Sequence, residues 1–227
     1  MYNKYIVFNY VKLCLFLKKH YAIMKVRNKV VKHMLIIKMY VTLISPIISG
    51  IFNSIFCKTK YFEKMNKPID FGRKLSDKKR IFGDNKTWKG LIGYIIFNII
   101  FSVIFGYILK ITDIEKYNFF YINHNNTLLF NILIGFLLGL AYSVFELPNS
   151  FIKRRLDIKP GKTINGFKKI FFIIFDQADS VFGVAMIVWL FYPIGIWIYL
   201  FYIVLGTVTH LLVNMLLYFL RLRKNMF

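Results

Sequence analysis

The hydrophobic pattern of the chain is set by long apolar stretches that contain no charged residue. Four such runs are evident: Met39–Cys57, Leu91–Leu109, Thr127–Phe145 and Ser180–Leu220. About 20 apolar residues cross the core of a bilayer as a helix, and the last run is long enough for two crossings. Pro193 and Gly195 would end one helix and turn the chain into the next. We therefore predict spans near residues 39–57, 90–110, 127–145, 169–192 and 196–220.

The composition excludes an ordinary soluble protein. The 227 residues are 57% hydrophobic and 19% charged, whereas soluble domains are about 45–50% apolar and about 25% charged. The predicted fold class is an all-α polytopic membrane protein with about five transmembrane helices and two polar cytoplasmic loops. A formal net charge of +22 would suggest nucleic-acid binding in a soluble protein. In a membrane protein we instead expect basic loops beside anionic lipid, and no nucleic-acid partner.

Charge is distributed unevenly among the loops between the spans. Residues 58–89 hold eleven Lys/Arg and four acidic residues, and residues 146–169 hold seven and two. Residues 110–126 hold only two of each. By the positive-inside rule, the two basic loops and the C-terminus face the cytoplasm. We expect a multi-pass protein of the cell (cytoplasmic) membrane with its functional site facing the cytoplasm.

The N-terminal segment does not fit this pattern. Residues 1–38 carry nine Lys/Arg and no acidic residue, yet they would lie outside the cell if residues 39–57 span the membrane. The segment is interpreted as a short extra span near Tyr5–Leu17, as a basic amphipathic surface segment, or as a gene-prediction artefact upstream of a start at Met34 or Met39. The third interpretation is narrowly favoured. We divide the chain into a basic N-terminal extension, 1–38, and a transmembrane domain, 39–227.

The first basic loop carries a polar cluster directly before a span. The cluster consists of Asp70, Arg80, Asp84, Lys86, Thr87 and Trp88. Gly83-Asp84-Asn85 is a turn-forming group that could present backbone N–H groups to a phosphate. The basic side chains beside it suit a polyphosphate, because several positive charges can neutralise it. The alternative is a solvated loop that is basic because of topology, with Trp88 anchored at the headgroup level.

A second polar cluster follows the third predicted span. Glu146 closes the apolar run, and we expect Pro148 to stop regular helix there. Asn149 and Ser150 can cap a helix or contact an oxyanion. The triple Lys153-Arg154-Arg155 is typical of a positive-inside loop, but its position beside these polar residues favours a binding site.

A third cluster places Asp176 and Asp179 inside an otherwise apolar segment. Residues three apart lie on one face of a helix. Two adjacent carboxylates in a span are unfavourable, and a divalent cation would relieve both the burial and the repulsion. Oxygen ligands favour Mg²⁺, which commonly bridges to substrate phosphates. The alternative is a buried pair neutralised by Lys153, by Arg154 or by a shared proton.

Together these clusters resemble a known enzyme family. Asp70…Gly72-Arg73, Lys79-Arg80…Gly83-Asp84…Lys86-Thr87-Trp88-Lys89-Gly90 is similar to the first loop of the CDP-archaeol synthases, which are relatives of the CDP-diacylglycerol synthases, or phosphatidate cytidylyltransferases. Glu146-Leu147-Pro148-Asn149-Ser150-Phe151-Ile152-Lys153-Arg154-Arg155 resembles their second loop, and Asp176-Gln177-Ala178-Asp179 their terminal Asp-x-x-Asp. Phe71 stands where the pattern has a second glycine, and Gln177 replaces an arginine of the larger bacterial enzymes. The resemblance is to the smaller, archaeal-type branch and covers about residues 40–220.

The resemblance implies transfer of a cytidylyl group from CTP to a lipid phosphate, giving a CDP-activated lipid and pyrophosphate for phospholipid biosynthesis. It implies that Asp176 and Asp179 hold Mg²⁺ and that Lys153 and Arg154 stabilise the pyrophosphate, aided by Asn149 and Ser150. The remaining implied substrate-binding residues are Asp84, Lys86, Thr87, Trp88, Arg80, Asp70 and Glu146. Asp70 and Glu146 either line the pocket or orient its other residues.

Two other functions compete with this one. A CDP-alcohol phosphotransferase is disfavoured because its Asp-Gly-x-x-Ala-Arg motif is absent. In a small transporter or channel accessory, Asp176 and Asp179 would bind a cation or a proton. The sequence does not decide whether the lipid substrate is an archaeal-type ether lipid or a diacyl phosphatidate. It does not give the oligomeric state either.

Overall fold

The computed structural model describes residues 33–161 and 168–222. They form five helices long and apolar enough to cross a membrane, together with one short α-helix and two 3₁₀ turns, Glu63–Met65 and Glu115–Tyr117. In chain order the helices are α1 (His33–Phe56), α2 (Trp88–Ile111), α3 (Phe120–Asn123), α4 (Leu128–Arg155), α5 (Lys168–Phe191) and α6 (Gly195–Phe219). No strand occurs in these residues, which hold only two isolated bridges, both in the α1–α2 loop. The predicted all-α fold with five spans is confirmed.

Two compact units divide the chain, Met1–Tyr40 and Val41–Phe227. The first is described only over residues 33–40, the beginning of α1. The three interpretations of the N-terminal segment concern residues that lie largely outside the described ones, and the boundary after residue 38 stays a prediction. All contacts discussed below lie within the second unit.

Helix α2 packs against α4 with almost no side chain between the two backbones. A Cβ atom added to Gly135 would lie 2.6 Å from the Cα atom of Ile99, and one added to Gly139 would lie 2.6 Å from that of Ile95. Small residues allow such close approach between helices in a membrane, where van der Waals packing replaces the hydrophobic driving force. Glycines spaced four apart thus fix one helix crossing inside the protein.

Two predicted boundaries are wrong. Helix α1 begins at His33, six residues before the predicted start, and therefore includes Lys38. Helix α4 continues through Pro148 to Arg155, so that the first ten residues of the predicted loop 146–169 are helical. Proline removes one donor from the hydrogen-bond ladder of a helix, and neighbouring helices can compensate for that loss in a span. Here the turns after Pro148 are held by polar contacts with α5.

The two ends of the helices differ in chemistry. At one end, Lys79 of the α1–α2 loop forms an ion pair of 2.6 Å with Asp157, which follows α4. At the other end, Phe119 stacks on Tyr192 with ring centroids 5.3 Å apart. The first end, which we call the basic end, carries the α1–α2 loop, the segment after α4 and the segment after α6. Successive connections between the spans therefore lie at alternate ends, as a chain of five spans requires.

Candidate active site

The acidic pair of α5 is held by the C-terminal turns of α4. Asn149 donates from its amide nitrogen to Asp176 and to Asp179, at 2.7 Å in each case. Lys153, one turn further along α4, forms an ion pair with the second oxygen of Asp176. Residues four apart lie on one helical face, so the helical extension of α4 places both partners opposite the carboxylates. The second and third clusters predicted from the sequence are therefore in direct contact.

The residue that joins the α1–α2 loop to this group is Lys86. Its ammonium forms an ion pair with Glu146, one turn before Asn149 on α4. Burial lowers the pKa of Lys86, but the negative charges of Glu146, Asp179 and Asp176 outweigh it and raise the pKa above its ordinary value. The next residue, Thr87, caps α2 by accepting a hydrogen bond of 3.2 Å from the Gly90 amide. Lys86 is thus a fixed cation facing three carboxylates.

Asp70 organises the α1–α2 loop around itself. Its buried carboxylate accepts hydrogen bonds from the Phe82 and Gly83 amides, both at 2.9 Å, and from the Gly72 amide at 3.0 Å. The Arg80 guanidinium donates to it at 2.6 Å and also pairs with Asp84 at 2.7 Å. Burial raises the pKa of Asp70, but these donors outweigh it and hold the pKa well below its usual range.

The same loop requires a glycine where it meets α4. Gly83 has φ +96°, and a Cβ atom at this position would lie 3.0 Å from the Pro160 ring. The turn was predicted to present backbone amides to a phosphate, but the Gly83 amide donates to Asp70. In this structure the turn brings the loop against the side chain of Arg154, whose Cδ atom lies 3.5 Å from the same Cβ position.

A cavity of about 610 Å³ opens between these elements. Nine of the predicted site residues line it: Lys86, Thr87, Glu146, Asn149, Ser150, Lys153, Arg154, Asp176 and Asp179. Four do not line it: Asp70, Arg80, Asp84 and Trp88. The first three of these hold the loop, and Trp88 packs on Phe71 with ring centroids 6.2 Å apart. Their substrate-binding role stays a prediction.

Several polar groups in the cavity wall have no hydrogen-bond partner among the described residues. They are the Asn149 Oδ1 atom and the Arg154 Nε and Nη1 atoms, all of them buried. Arg154 also forms no ion pair within the described ranges, in contrast to Lys86 and Lys153. Buried polar groups are normally paired. The wall therefore offers a cation and an amide oxygen to a bound molecule.

The donor set of the acidic pair fits a hard divalent cation. Asp176 and Asp179 supply oxygen only, which suits Mg²⁺, and the Asn149 amide turns its nitrogen to them. Within the described residues no group of three or more His, Cys, Asp or Glu residues could hold a metal ion. A cation held by the two carboxylates would leave positions for water or substrate oxygens.

Polar residues inside the spans also line the cavity, and the sequence reasoning missed most of them. Tyr94 stacks on Tyr142 with ring centroids 4.0 Å apart, and the Tyr142 hydroxyl lies 3.1 Å from His210 Nε2. His210 Nδ1 donates to the Gln177 carbonyl at 3.1 Å, and the Asn214 amide donates to the Gln177 side chain at 2.5 Å. Isolated polar residues in apolar spans are the available signal for such positions.

The fold and the site define a multi-pass membrane protein with a charged cavity at the basic end of its helices. A model of the CDP-archaeol synthase family, described as CarS-like, matches residues 31–227, and the chain belongs to this family. The resemblance read from the three motifs is therefore confirmed.

Individual relatives are similar over parts of their length. The chain is 36% identical over 111 residues to the CDP-archaeol synthase of Pyrococcus furiosus, a match that covers 47% of this chain and 56% of that protein. It is 29% identical over 165 residues to the CDP-archaeol synthase of Sulfolobus acidocaldarius, covering 72% and 85%. The chain thus spans about half the length of the first curated relatives that it matches.

One solved structure is also similar, reported as "Structural insight into an intramembrane enzyme for archaeal membrane lipids biosynthesis". It has a TM-score of 0.49 and 19% identity, and the match covers 74% of this chain and 92% of that chain.

Proposed function

We propose that the protein is a cytidylyltransferase that converts a membrane lipid phosphate and CTP to a CDP-activated lipid and pyrophosphate. The observation that carries the proposal is the carboxylate pair Asp176 and Asp179, bridged by Asn149 in a cavity that also holds Lys86 and Arg154. Cations beside a metal-binding carboxylate pair suit a nucleoside triphosphate. Membership of the CDP-archaeol synthase family supports the same reaction and gives no support to a transporter.

The reaction needs no general base from the protein. An oxygen of the ionised lipid phosphate attacks the α-phosphorus of CTP, a new P–O bond forms, and the bond to the β-phosphate oxygen breaks to release pyrophosphate. Catalysis then rests on positioning and charge neutralisation. Arg154, whose guanidinium has unpaired nitrogens in the cavity wall, would neutralise the departing pyrophosphate together with Lys153.

Asp176 and Asp179 would hold Mg²⁺, which would neutralise phosphate charge when bound, and Asn149 would orient both carboxylates through its amide nitrogen. Lys153 is paired with Asp176 in this structure, and its ammonium would turn to a phosphate oxygen when that carboxylate serves as a metal ligand. Lys86 would stay close to Glu146 and keep the loop closed on the cavity.

The lipid would enter through the apolar part of the cavity. Leu43, Ile47, Val184, Val213 and Leu217 line it, and such walls accept hydrocarbon of either lipid class. The family favours an archaeal-type ether lipid phosphate over phosphatidate. By the positive-inside rule, the basic end and the site face the cytoplasm of the cell membrane.

Reconstitution tests the proposal. The purified full chain in liposomes should release pyrophosphate from CTP only when a lipid phosphate and Mg²⁺ are present, and the CDP-lipid should form in equal amount. An isoprenoid diether glycerol phosphate and a diacyl phosphatidate, supplied in competition, show which tails are preferred. Cation flux without CTP, and no CDP-lipid with either substrate, would instead indicate a transporter.

A further inference from the structure

The α1–α2 loop displays large aromatic side chains beside its lysines. Tyr61 is 74% exposed, Phe62 66% and Phe71 64%. Outside the membrane-spanning helices, aromatic rings exposed to this degree need an apolar environment, since contiguous apolar patches on a surface mark interaction sites. We call these three side chains the aromatic patch.

The backbone at two of these positions is held in an uncommon conformation. Phe62 has φ +56° and Phe71 has φ +48°, in the left-handed region that bulky residues rarely adopt. Both conformations are fixed by their surroundings. Phe62 precedes the turn Glu63–Met65. Phe71 follows Asp70, whose carboxylate accepts a hydrogen bond from the Gly72 amide. The rings are therefore directed outward by ordered backbone.

The aromatic patch lies beside the ends of two spans. The Phe62 ring lies 6.0 Å from that of Phe56, the last residue of α1, and Phe71 packs on Trp88, the first residue of α2. Trp88 follows Lys86 and Thr87, and Lys86 pairs with Glu146. Exposed apolar side chains continue beyond this level: Ile152, Leu156, Ile170 and Phe171.

The tip of the same loop lies further out. Asp77 pairs with Arg155 at 2.8 Å, and Arg155 is nine residues beyond Glu146 on α4, about 14 Å along the helix axis. The loop thus rises from the level of the aromatic patch to the end of α4. Its base adjoins Phe56 and Trp88 at the ends of α1 and α2, whereas its tip reaches the end of α4.

The charge around the aromatic patch matches an anionic surface. Three of the four acidic residues of the loop are paired, Asp70 and Asp84 with Arg80 and Asp77 with Arg155. Seven exposed cations of the loop form no ion pair with any described residue: Lys58, Lys60, Lys64, Lys67, Arg73, Lys74 and Lys78. A basic group near an anionic membrane surface contributes about 1 kcal/mol per residue.

We infer that the base of the α1–α2 loop is a docking surface for anionic lipid headgroups of the same membrane, with the rings of Tyr61, Phe62 and Phe71 inserted among them. The surface would hold the loop that carries Lys86 and Thr87 close to the bilayer, where a lipid phosphate arrives. The docking itself requires no assumption about the reaction, whereas the arrival of a lipid phosphate rests on the proposed function.

Spin-label accessibility tests the inference on the full chain. Nitroxide labels are attached at Phe71→Cys, Phe62→Cys and, as the matched control in the same loop, Ser76→Cys, each with Cys14 and Cys57 replaced by Ser. The protein is placed in nanodiscs of phosphatidylcholine, with or without about a third of phosphatidylglycerol. Accessibility to molecular oxygen, which concentrates in lipid, is compared with accessibility to a polar nickel chelate.

We expect labels at 62 and 71 to show a higher ratio of oxygen to nickel accessibility than the label at 76. The ratio at 71 should rise with phosphatidylglycerol, and replacing Lys64, Lys67 and Arg73 together by Gln should remove this rise. Equal ratios at all three positions in both lipid mixtures would overturn the inference. A patch that only packs against protein would instead give low accessibility to both reagents at 62 and 71.

The variant Phe71→Gly separates the ring from the fold. Glycine adopts positive φ without strain, so the variant should keep or raise the melting temperature. A label at 62 in this variant should nevertheless move outward, with a lower oxygen-to-nickel ratio. An unchanged ratio at 62 in a folded Phe71→Gly protein would show that the Phe71 ring does not insert.

Discussion

Asp70 shows how one buried carboxylate can hold a loop that lies beside a reaction site. It accepts three backbone hydrogen bonds and a guanidinium, and its side chain has no exposed surface. The sequence placed Asp70 among the candidate substrate-binding residues. Spacing alone could not show that its partners lie 2 to 13 residues further along the same loop, because that depends on how the loop folds back.

Replacing Asp70 with Asn should loosen the loop while leaving the spans intact. Breaking a buried ion pair costs about 3–5 kcal/mol, so the Phe82 and Gly83 amides should exchange with solvent much faster. Hydrogen exchange of the loop measures this effect. Asp84→Asn removes the other, exposed partner of Arg80 and is the matched control, for which little change is expected.

The same carboxylate predicts a pH dependence. The pKa of Asp70 is depressed in the folded protein, so its contribution to stability is present above the unfolded pKa of about 3.9 and is lost as pH falls below it. The difference in amide protection between wild type and Asp70→Asn should be constant near neutral pH and shrink in acid. A difference that grows as pH falls would contradict this assignment.

At the scale of elements, the site depends on helices whose lengths the apolar runs underestimate. The five spans follow from hydrophobicity, but the ten residues after Phe145 were predicted as a loop because Pro148 and the charges follow it. In the structure these residues are helical, and this brings Asn149 and Lys153 level with Asp176. Interhelical polar contacts of this kind leave no periodic signal in the sequence.

Helix α6 supports the acidic pair from behind. Gln177 lies between Asp176 and Asp179 in the sequence. Asn214 donates a hydrogen bond to the side chain of Gln177, and His210 donates one to the backbone carbonyl of Gln177. Asn214→Leu would leave the buried Gln177 oxygen unpaired, at a cost of about 1–3 kcal/mol. We expect a lower melting temperature and a higher Mg²⁺ concentration for half-maximal activity.

The matched control for this prediction is Leu212→Ala, on the exposed face of the same helix, for which the metal requirement should not change. A purely structural role for Asn214 would lower the melting temperature of Asn214→Leu and leave the Mg²⁺ requirement of the folded fraction as in wild type. That result would show that α6 does not position the acidic pair.

At the scale of the molecule, the distribution of charge anticipated which loops lie together. The three basic segments meet at one end through Lys79–Asp157 and through Lys58, which donates to the Leu222 carbonyl. The sequence could not show that a cavity between five helices opens at this end, because it is lined by scattered polar residues such as Tyr94, Tyr142 and His210.

Cysteine labelling in intact cells tests the orientation. With Cys14 and Cys57 replaced by Ser, an impermeant maleimide should label Asn125→Cys, in the exposed segment at the opposite end, and should not label Ser76→Cys until the cells are opened. Labelling of Ser76→Cys and not of Asn125→Cys in intact cells would place the basic end outside.

Activity and stability measured on the same purified variants decide whether Asp176 and Asp179 form a metal-dependent cytidylyl-transfer site. Asp176→Asn and Asp179→Asn keep size but remove an anionic ligand, and Asp157→Asn removes an exposed carboxylate at the same end as a control. We predict that each of the first two loses CDP-lipid formation by orders of magnitude. Asp179→Asn should keep or gain thermal stability because a costly charge leaves a span, whereas Asp176→Asn should lose some because Lys153 loses its ion-pair partner. In at least one variant, part of the activity per folded protein should return at higher Mg²⁺ or with Mn²⁺. Folded Asp176→Asn and Asp179→Asn proteins that both retain full turnover, or activity losses that only follow loss of folded protein and ignore the metal, would contradict the metal-dependent site.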